Sequence, residues 1–263
     1  MSNEKTCSDR LIPKGVLFPF VLLASCFMWW GIANNITDPL VRVFKAIFGN
    51  LSTFQASLIQ FAFYGGYFCM ALPGGLIARK YSYKVGVLVG LGLYALGCFL
   101  LYPSTLTQQF GFFCVSYYVL ACGLGILETN ANPYILSLGS EATATRRLNF
   151  AQSFNPIGSI VGILLCQILI MARLPQADGN IVIPEGGESD ALNIVIFPYL
   201  SVAACLVVVW ILIATTKMPR MVEHDHRARF GGTMRHLLKN KNYVSVSYTH
   251  PPSPRDKIHD LVC

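Results

Sequence analysis

Long charge-free apolar runs alternate with short polar segments along this chain, and this pattern predicts helices that cross a membrane. The charge-free runs are Gly15–Thr37, Ala46–Ala78, Val85–Leu127, Leu148–Ala172 and Ala191–Thr216. A helix needs about 20 apolar residues, at about 1.5 Å per residue, to cross the hydrocarbon core. The third run has 43 residues and therefore predicts two crossings, with the break between them at Pro103-Ser-Thr and Gln108-Gln109.

We therefore predict an all-α membrane protein with six transmembrane helices. The predicted spans are 15–38, 53–78, 84–102, 109–138, 147–172 and 191–216. The uniformly apolar runs exclude a barrel of short strands, because barrel strands alternate apolar and polar positions over about ten residues. The first run is about as long as a full span and has no small-residue cleavage site before Asn34, which argues against a cleaved signal peptide.

Composition agrees with this picture. Of the 263 residues, 54% are hydrophobic and 13% are charged, against about 25% charged in a soluble domain.

The net charge of +7, taken alone, would suit a nucleic-acid-binding protein, so the positions of the basic residues along the chain matter. However, the basic residues other than Arg42, Lys45 and Arg173 fall before span 1, between spans 2 and 3, between spans 4 and 5, and after span 6, whereas the loop between spans 5 and 6 is acidic. The positive-inside rule explains this asymmetry with both ends in the cytoplasm and no nucleic-acid partner.

Cysteine and histidine residues give no indication of a metal site. The nine cysteines are scattered without a CxxC pair, and we interpret them as small apolar residues. All five histidines follow the sixth span, so the membrane holds no histidine for zinc binding or acid–base catalysis. There is also no G-x-S-x-G nucleophile motif. We predict no enzyme activity, no catalytic residues and no metal.

Two carboxylates lie within or at the end of predicted spans. Glu128 is well inside span 4 and Asp38 closes span 1. An ionised carboxylate at the bilayer centre costs about 2.5–3.5 kcal/mol on insertion scales, so such a residue faces a cavity, pairs with a cation or is kept by protonation. For Asp38 the alternative is an interfacial residue paired with Arg42 at i+4. For Glu128 the alternative requires a cation from another helix.

Amide side chains occur at helical spacing near both carboxylates. Asn34 and Asn35 precede Asp38, and Asn132 follows Glu128 by four residues. Span 5 carries a polar stripe at intervals of three, formed by Asn149, Gln152 and Asn155. Each amide alone is explained by hydrogen bonding between membrane helices. Together they favour a cavity for an uncharged, hydroxyl-rich ligand, because amides both donate and accept hydrogen bonds.

Two further patterns concern packing and symmetry. Glycines crowd spans 2 and 3 (Gly65, Gly66, Gly74, Gly75, Gly86, Gly90, Gly92, Gly97), and small residues let membrane helices approach closely. The carboxylate segments of spans 1 and 4 each combine asparagines with a proline (Asp38-Pro39; Asn132-Pro133). This is the relation expected of a three-plus-three inverted repeat.

Three motifs together resemble the signatures of a known family. They are Trp30-Gly-Ile-Ala-Asn-Asn-Ile-Thr-Asp38, Gly123-Leu-Gly-Ile-Leu-Glu-Thr-Asn-Ala-Asn-Pro133 and Arg147-Leu-Asn-Phe-Ala-Gln-Ser-Phe-Asn155, with Phe54-Gln-Ala-Ser-Leu-Ile-Gln60 in support. These segments are similar to spans 1, 4, 5 and 2 of the bacterial L-fucose/H⁺ symporters, within the major facilitator superfamily. The resemblance covers about residues 15–242 and identifies the chain as similar to the N-terminal half of such a transporter.

The resemblance implies roles for individual residues. Glu128 would bind sugar and take part in protonation, and Asp38 would couple protonation to the conformational change. Asn35, Gln152 and Asn155 would line the sugar cavity. Related glucose/galactose carriers have a neutral residue at the position of Glu128, so the acid favours the fucose branch.

The chain departs from the family pattern in two places. Arg79 and Ser82 replace the acid and glycine of the usual loop between spans 2 and 3. After Tyr243 the sequence is polar, broken by prolines and unlike the family. We divide the chain into a cytoplasmic N-terminus (1–14), a transmembrane domain (15–216), a basic inter-domain segment (217–243) and a tail (244–263) that we interpret as a truncation or frameshift. A disordered cytoplasmic tail is the alternative.

The sequence thus predicts proton-coupled uptake of a neutral sugar, with L-fucose favoured, across the bacterial inner membrane. The proton is the coupling ion and no cofactor is expected. The expected partners are the sugar, the lipid bilayer and a missing C-terminal six-helix half. The alternatives are a facilitator for another hexose and a six-helix membrane module that transports nothing.

Overall fold

The computed structural model of the chain describes residues 11–13, 15–47, 53–107, 109–177, 180–184 and 186–219. All of these lie within one compact unit, Met1–Glu223. The predictions for residues 1–14, 217–243 and 244–263 fall almost entirely outside the described residues. Side chains 37–45 of the first helix are likewise outside them.

The described part of the chain is helical, as predicted, and contains six segments long and apolar enough to cross a membrane. The helices are α1 (Leu17–Ile47), α2 (Thr53–Lys80), α3 (Tyr83–Thr107), α4 (Phe110–Ser137), α5 (Ala144–Gln152), α6 (Phe154–Leu165) and α7 (Glu188–Thr215). A 3₁₀ turn, Glu141–Thr143, precedes α5, and a π-helix, Cys166–Met171, continues α6. The loop before α7 contains a two-residue antiparallel pair, β1 (Gln176–Ala177) with β2 (Asn180–Ile181), which the hydrophobic pattern did not predict.

Two helices extend beyond the predicted spans. The apolar part of the first span ends at Ile36, but α1 remains helical through Asp38 and Pro39 to Ile47. Pro103 lies inside α3, which ends at Thr107, so the break predicted at Pro103-Ser-Thr is wrong and only the position at 108–109 is correct. Pro103 has no N–H to donate to Phe99 O four residues earlier, yet the helix continues for one more turn.

The fifth span is interrupted in its middle. Ser153 separates α5 from α6, and Pro156 lies in the first turn of α6. Proline has no backbone N–H, so Pro156 cannot donate to the carbonyl of Gln152 four residues earlier. The span predicted as one helix over 147–172 is therefore two helices, and the candidate residues Gln152 and Asn155 lie on either side of the interruption.

Glycines bring pairs of helices into backbone contact. A Cβ added at Gly66 of α2 would lie 2.6 Å from Tyr118 O of α4, and one added at Gly125 of α4 would lie 2.7 Å from Tyr67 O of α2. In the same way, Gly31 of α1 abuts Asn155 O of α6, and Gly158 of α6 abuts Met28 O of α1. The packing interpretation of the glycines in spans 2 and 3 is confirmed for those that contact α4.

These contacts pair span 1 with span 5 and span 4 with span 2, while α3 packs against α7. Exchanging spans 1, 2 and 3 with spans 4, 5 and 6 leaves this set of pairings unchanged. These three pairings have the symmetry that an inverted repeat requires, whereas α3 and α4 pack together far more extensively than their counterparts, α1 and α7.

Candidate functional site

Glu128 lies on α4 and lines a small pocket between α4 and α1. Its neighbours in the pocket are Cys26, Phe27, Trp30, Leu124, Leu127 and Ala131. The pocket has a volume of about 10 Å³, which is room for about one water molecule. Glu128 is half-buried among apolar side chains, and no described residue forms an ion pair or a hydrogen bond with its carboxylate. The alternative that required a cation from another helix thus finds no partner among the described residues.

Trp30 is a further polar group in this pocket that the sequence reasoning did not select. Its indole N–H is buried and has no hydrogen-bond partner among the described residues. A buried indole N–H normally finds a partner. Trp30 and Glu128 both line the pocket, whose accessible surface is apolar, and Trp30 Nε1 is buried without an acceptor among the described residues.

Gln152 and Asn132 connect the end of α5 to α4. Gln152 Nε2 donates to Asn132 Oδ1 at 3.1 Å, and both side chains are half-buried. Asn132 lies one helical turn after Glu128 on the same face of α4. The amide oxygen of Gln152 accepts no hydrogen bond from the described residues and is available to a ligand hydroxyl.

Asn155 and Asn35 lie where α6 meets α1. Asn155 Nδ2 donates to Phe27 O at 3.3 Å, so it reaches the backbone of a residue that lines the Glu128 pocket. Asn35 Nδ2 donates to Gly31 O at 2.9 Å, and a Cβ added at Gly162 of α6 would lie 3.3 Å from Asn35 Cβ. The bonds of Gln152 and Asn155 are interhelical, as the packing alternative expects, while the amide oxygens of all three residues accept no bond from described residues.

The other candidates are less informative. The backbone of Asp38 lies in α1, but its side chain and that of Arg42 fall outside the described residues, so the proton-coupling role and the interfacial alternative both stay predictions. Asn34 is half-buried. Asn149 is exposed on α5, so the polar stripe of span 5 is split by the interruption at Ser153.

Two buried polar residues have structural roles that the sequence pattern did not predict. Asn130 is fully buried on α4 and donates to Gly74 O at 3.1 Å and to Ile126 O at 2.7 Å. Arg147, at the start of the predicted fifth span, is also fully buried. Its guanidinium donates to Ile135 O at 2.8 Å, Leu136 O at 2.5 Å and Ser140 O at 3.4 Å, and to Thr143 Oγ1 at 3.2 Å.

The sequence contained only a partial signal for Arg147, a basic residue some way beyond a helix C-terminus. A cation just after a helix C-terminus satisfies the last carbonyls and interacts favourably with the helix dipole. Arg147 follows the end of α4 by ten residues, so this role depends on how the chain turns back between α4 and α5. Local spacing therefore could not distinguish it from its neighbour Arg146, which is exposed.

Comparison with known proteins agrees with the resemblance found in the sequence. The family profile described as Major Facilitator Superfamily matches residues 19–243. The L-fucose-proton symporter of Haemophilus influenzae is 42% identical over 246 residues, covering 89% of this chain and 57% of that protein. The L-fucose-proton symporter of Escherichia coli is 38% identical over 219 residues, covering 81% of this chain and 50% of that protein. The glucose/galactose transporter of Brucella abortus is 36% identical over 224 residues, covering 85% and 52%.

The fold is also similar to a solved structure. The Major Facilitator Superfamily transporter FucP in the outward conformation is 37% identical and superposes with a TM-score of 0.70, covering 85% of this chain and 55% of that chain. The chain thus spans about half the length of the relatives that it matches. The predicted resemblance to the N-terminal half of the L-fucose/H⁺ symporters is confirmed, as is the all-α membrane fold.

Proposed function

Since the chain belongs to the Major Facilitator Superfamily, a family of transporters and not of enzymes, we propose that it forms the N-terminal half of a proton-coupled sugar transporter. L-Fucose is the favoured substrate, and the proton is the coupling ion with no other cofactor. The observation that carries the proposal is Glu128, a half-buried carboxylate in an apolar pocket with no cation among its described neighbours. Such a group inside a membrane has a functional role by default.

The polar groups around Glu128 suit a neutral sugar. Trp30, which lines the same pocket, has a buried N–H without a described acceptor, and the amide oxygens of Asn35, Gln152 and Asn155 accept no bond from described residues. Sugar hydroxyls both donate and accept hydrogen bonds, so this set of donors and acceptors can replace water around them. None of the candidate residues is cationic, so no group here favours an anionic substrate.

Proton coupling follows from the position of the two carboxylates in our proposal. Glu128 is neutral when it carries a proton and can then donate to a sugar hydroxyl, whereas the ionised form only accepts. A bundle whose carboxylates are protonated has no uncompensated charge in the membrane and changes conformation at lower cost. Asp38, on the helix that forms the other side of the pocket, is the second relay group in this scheme.

A second six-helix bundle would complete the site. The Glu128 pocket holds about one water molecule and is too small for a hexose. In spans 2 and 5 only 22% of residues are buried, against 50–61% in spans 1, 3 and 4. Large apolar side chains of these two spans are exposed, including Phe61 (74%), Phe68 (81%) and Ile160 (61%). We infer that these spans pack against the second bundle and that the sugar binds between the two halves.

The two alternatives remain distinct candidates. A transporter for glucose or galactose is favoured by the Brucella abortus relative, while the acid at position 128 favours fucose. A six-helix module that inserts but transports nothing is the second alternative. We also propose the inner membrane of a bacterium as the location, with the basic ends of the helices in the cytoplasm.

The test is to sequence the gene through and beyond codon 243 and to express the product in cells without fucose uptake. We expect a lightly buffered suspension to become alkaline when L-fucose is added, because sugar and proton enter together. Alkalinisation by glucose or galactose but not fucose would favour the alternative substrate. Membrane insertion with no response to any of the three sugars would contradict the transporter proposal.

A further inference from the structure

A second pocket lies at the end of the bundle where α2 meets α3 and where α7 ends. It has a volume of about 690 Å³, and its described lining contains three lysines, Lys80, Lys84 and Lys217, and no acidic residue. We call this pocket the lysine groove. Its lining residues belong to α2, α3, α7 and the segments that follow α2 and α7, whereas the Glu128 pocket lies between α1 and α4.

The three lysines do not have the same role. Lys84 Nζ donates to Ala214 O at 3.0 Å and to Thr216 O at 2.8 Å, so its charge satisfies the last carbonyls of α7 and opposes the negative end of that helix dipole. Lys80 and Lys217 are exposed and form no ion pair with described residues. Within the described part of the chain, no carboxylate neutralises either charge.

Other features of the groove also favour an anion. The N-terminus of α3 lies in it, where backbone N–H groups carry partial positive charge, beside the C-termini of α2 and α7, whose carbonyl ends carry partial negative charge. Ser82 Oγ accepts from Val85 N at 3.3 Å, which orders this turn as an N-cap. Tyr81 is 57% exposed, and the Lys80 ammonium lies 5.3 Å from its ring centroid.

The surface that continues from the groove along the helices is apolar and exposed. On α3 it includes Val85 (36% exposed) and Phe99 (43%), and on α7 Val208 (56%) and Ile211 (49%). Trp210 joins the two helices one turn above Lys84, because its Nε1 donates to Leu88 O at 2.9 Å. A ligand in the groove thus meets lysines at one end and hydrocarbon surface at the other.

We propose that the lysine groove binds the phosphate headgroup of an anionic phospholipid, such as phosphatidylglycerol, with an acyl chain along the exposed face of α3 and α7. Charge complementarity identifies the headgroup, and the adjoining apolar face identifies a lipid as the source of the phosphate. Basic pockets between transmembrane helices are suited to such headgroups. An exposed tyrosine beside them is typical of the interface between membrane and water.

Native mass spectrometry of the purified full chain tests this. Delipidated protein is titrated with phosphatidylglycerol or with phosphatidylcholine, which has a similar tail but no net charge. We expect the double variant Lys80→Gln/Lys217→Gln to bind phosphatidylglycerol about 30-fold more weakly, at about fivefold for each lysine. The matched control Arg146→Gln/Arg173→Gln removes two exposed charges outside the groove and should change the affinity less than twofold.

A charge-conserving variant and a competing ligand provide further tests. Lys80→Arg/Lys217→Arg retains both charges and should retain phosphatidylglycerol binding, which separates charge from folding. Equal binding of the two lipids, or an equal loss in the arginine control, would overturn the proposal. Full displacement of phosphatidylglycerol by millimolar inorganic phosphate would indicate a site for free phosphate and would overturn the assignment to a lipid.

Discussion

Gln152 at the end of α5 donates a 3.1 Å hydrogen bond to Asn132 of α4, which lies one helical turn beyond Glu128. This bond spans the interruption of the fifth span and fixes the side chain of Gln152 relative to the carboxylate helix. The amide oxygen of Gln152 remains free of described donors. The same residue therefore both joins two helices and offers an acceptor to a ligand.

Because of this double role, Gln152→Ala should weaken fucose binding by about two- to tenfold, the worth of one net hydrogen bond. Asn132→Ala should weaken it less, since it removes only the group that positions Gln152. Isothermal titration calorimetry of the single variants and the double variant measures both effects. A double variant whose loss equals the sum of the two single losses would show that the pair is not coupled for binding.

Glu128→Gln keeps the size of the side chain but removes its ability to ionise. We expect this variant to lose proton-driven accumulation of fucose while retaining exchange of labelled for unlabelled sugar, because a neutral amide mimics the protonated acid. The measurement is uptake with and without an imposed proton gradient. Full gradient-driven accumulation by the variant would remove Glu128 from the coupling role.

Asp38→Asn tests the second carboxylate in the same way. We expect the variant to bind sugar with little change, because Asp38 is proposed as a relay and not as a ligand, but to lose the dependence of uptake on external pH. Uptake of the variant is compared with that of the unaltered chain between about pH 5.5 and 7.5. Retained pH dependence would return Asp38 to an interfacial role beside Arg42.

Arg147 stabilises the bundle, whereas its neighbour Arg146 does not. Arg147→Met should lower the stability of the bundle by about 3 kcal/mol, since it removes the guanidinium donor to Leu136 O and one of the two donors to Ile135 O. Arg146→Met, at the exposed adjacent position, is the matched control and should change stability by less than about 0.5 kcal/mol. Thermal unfolding in detergent distinguishes the two, and equal shifts would contradict the buried role of Arg147.

Adjacent glycines on α2 provide a test of helix packing. A Cβ at Gly66 would lie 2.6 Å from Tyr118 O, whereas a Cβ at Gly65 meets nothing within 4 Å. Gly66→Ala should therefore destabilise the bundle by about 1–3 kcal/mol through overpacking. Gly65→Ala should be neutral or stabilising by up to about 1 kcal/mol, because alanine favours the helix. Unfolding midpoints with the order reversed would show that α2 and α4 are not packed as described.

The sequence by itself determined the number of membrane spans and their approximate positions, because hydrocarbon demands about 20 apolar residues per crossing whatever the tertiary structure. It also drew attention to Glu128, Asp38 and the amides near them, since polar groups are costly in a membrane. The resemblance to the fucose symporters then selected Asn35, Gln152 and Asn155 among these amides. The all-α fold and the resemblance to the fucose symporters followed from the same runs and motifs.

Only the tertiary structure decided which of these polar groups have partners. That Gln152 bonds to Asn132, that Asn155 reaches Phe27 O, and that Arg147 is buried while Arg146 is exposed all depend on how α4, α5 and α6 cross. Two helices that are neighbours in the chain can cross in several ways at similar cost, and a few glycine contacts select one of them. Helical periodicity therefore predicts which side chains share a face, but the partner of that face is set by the packing of the whole bundle.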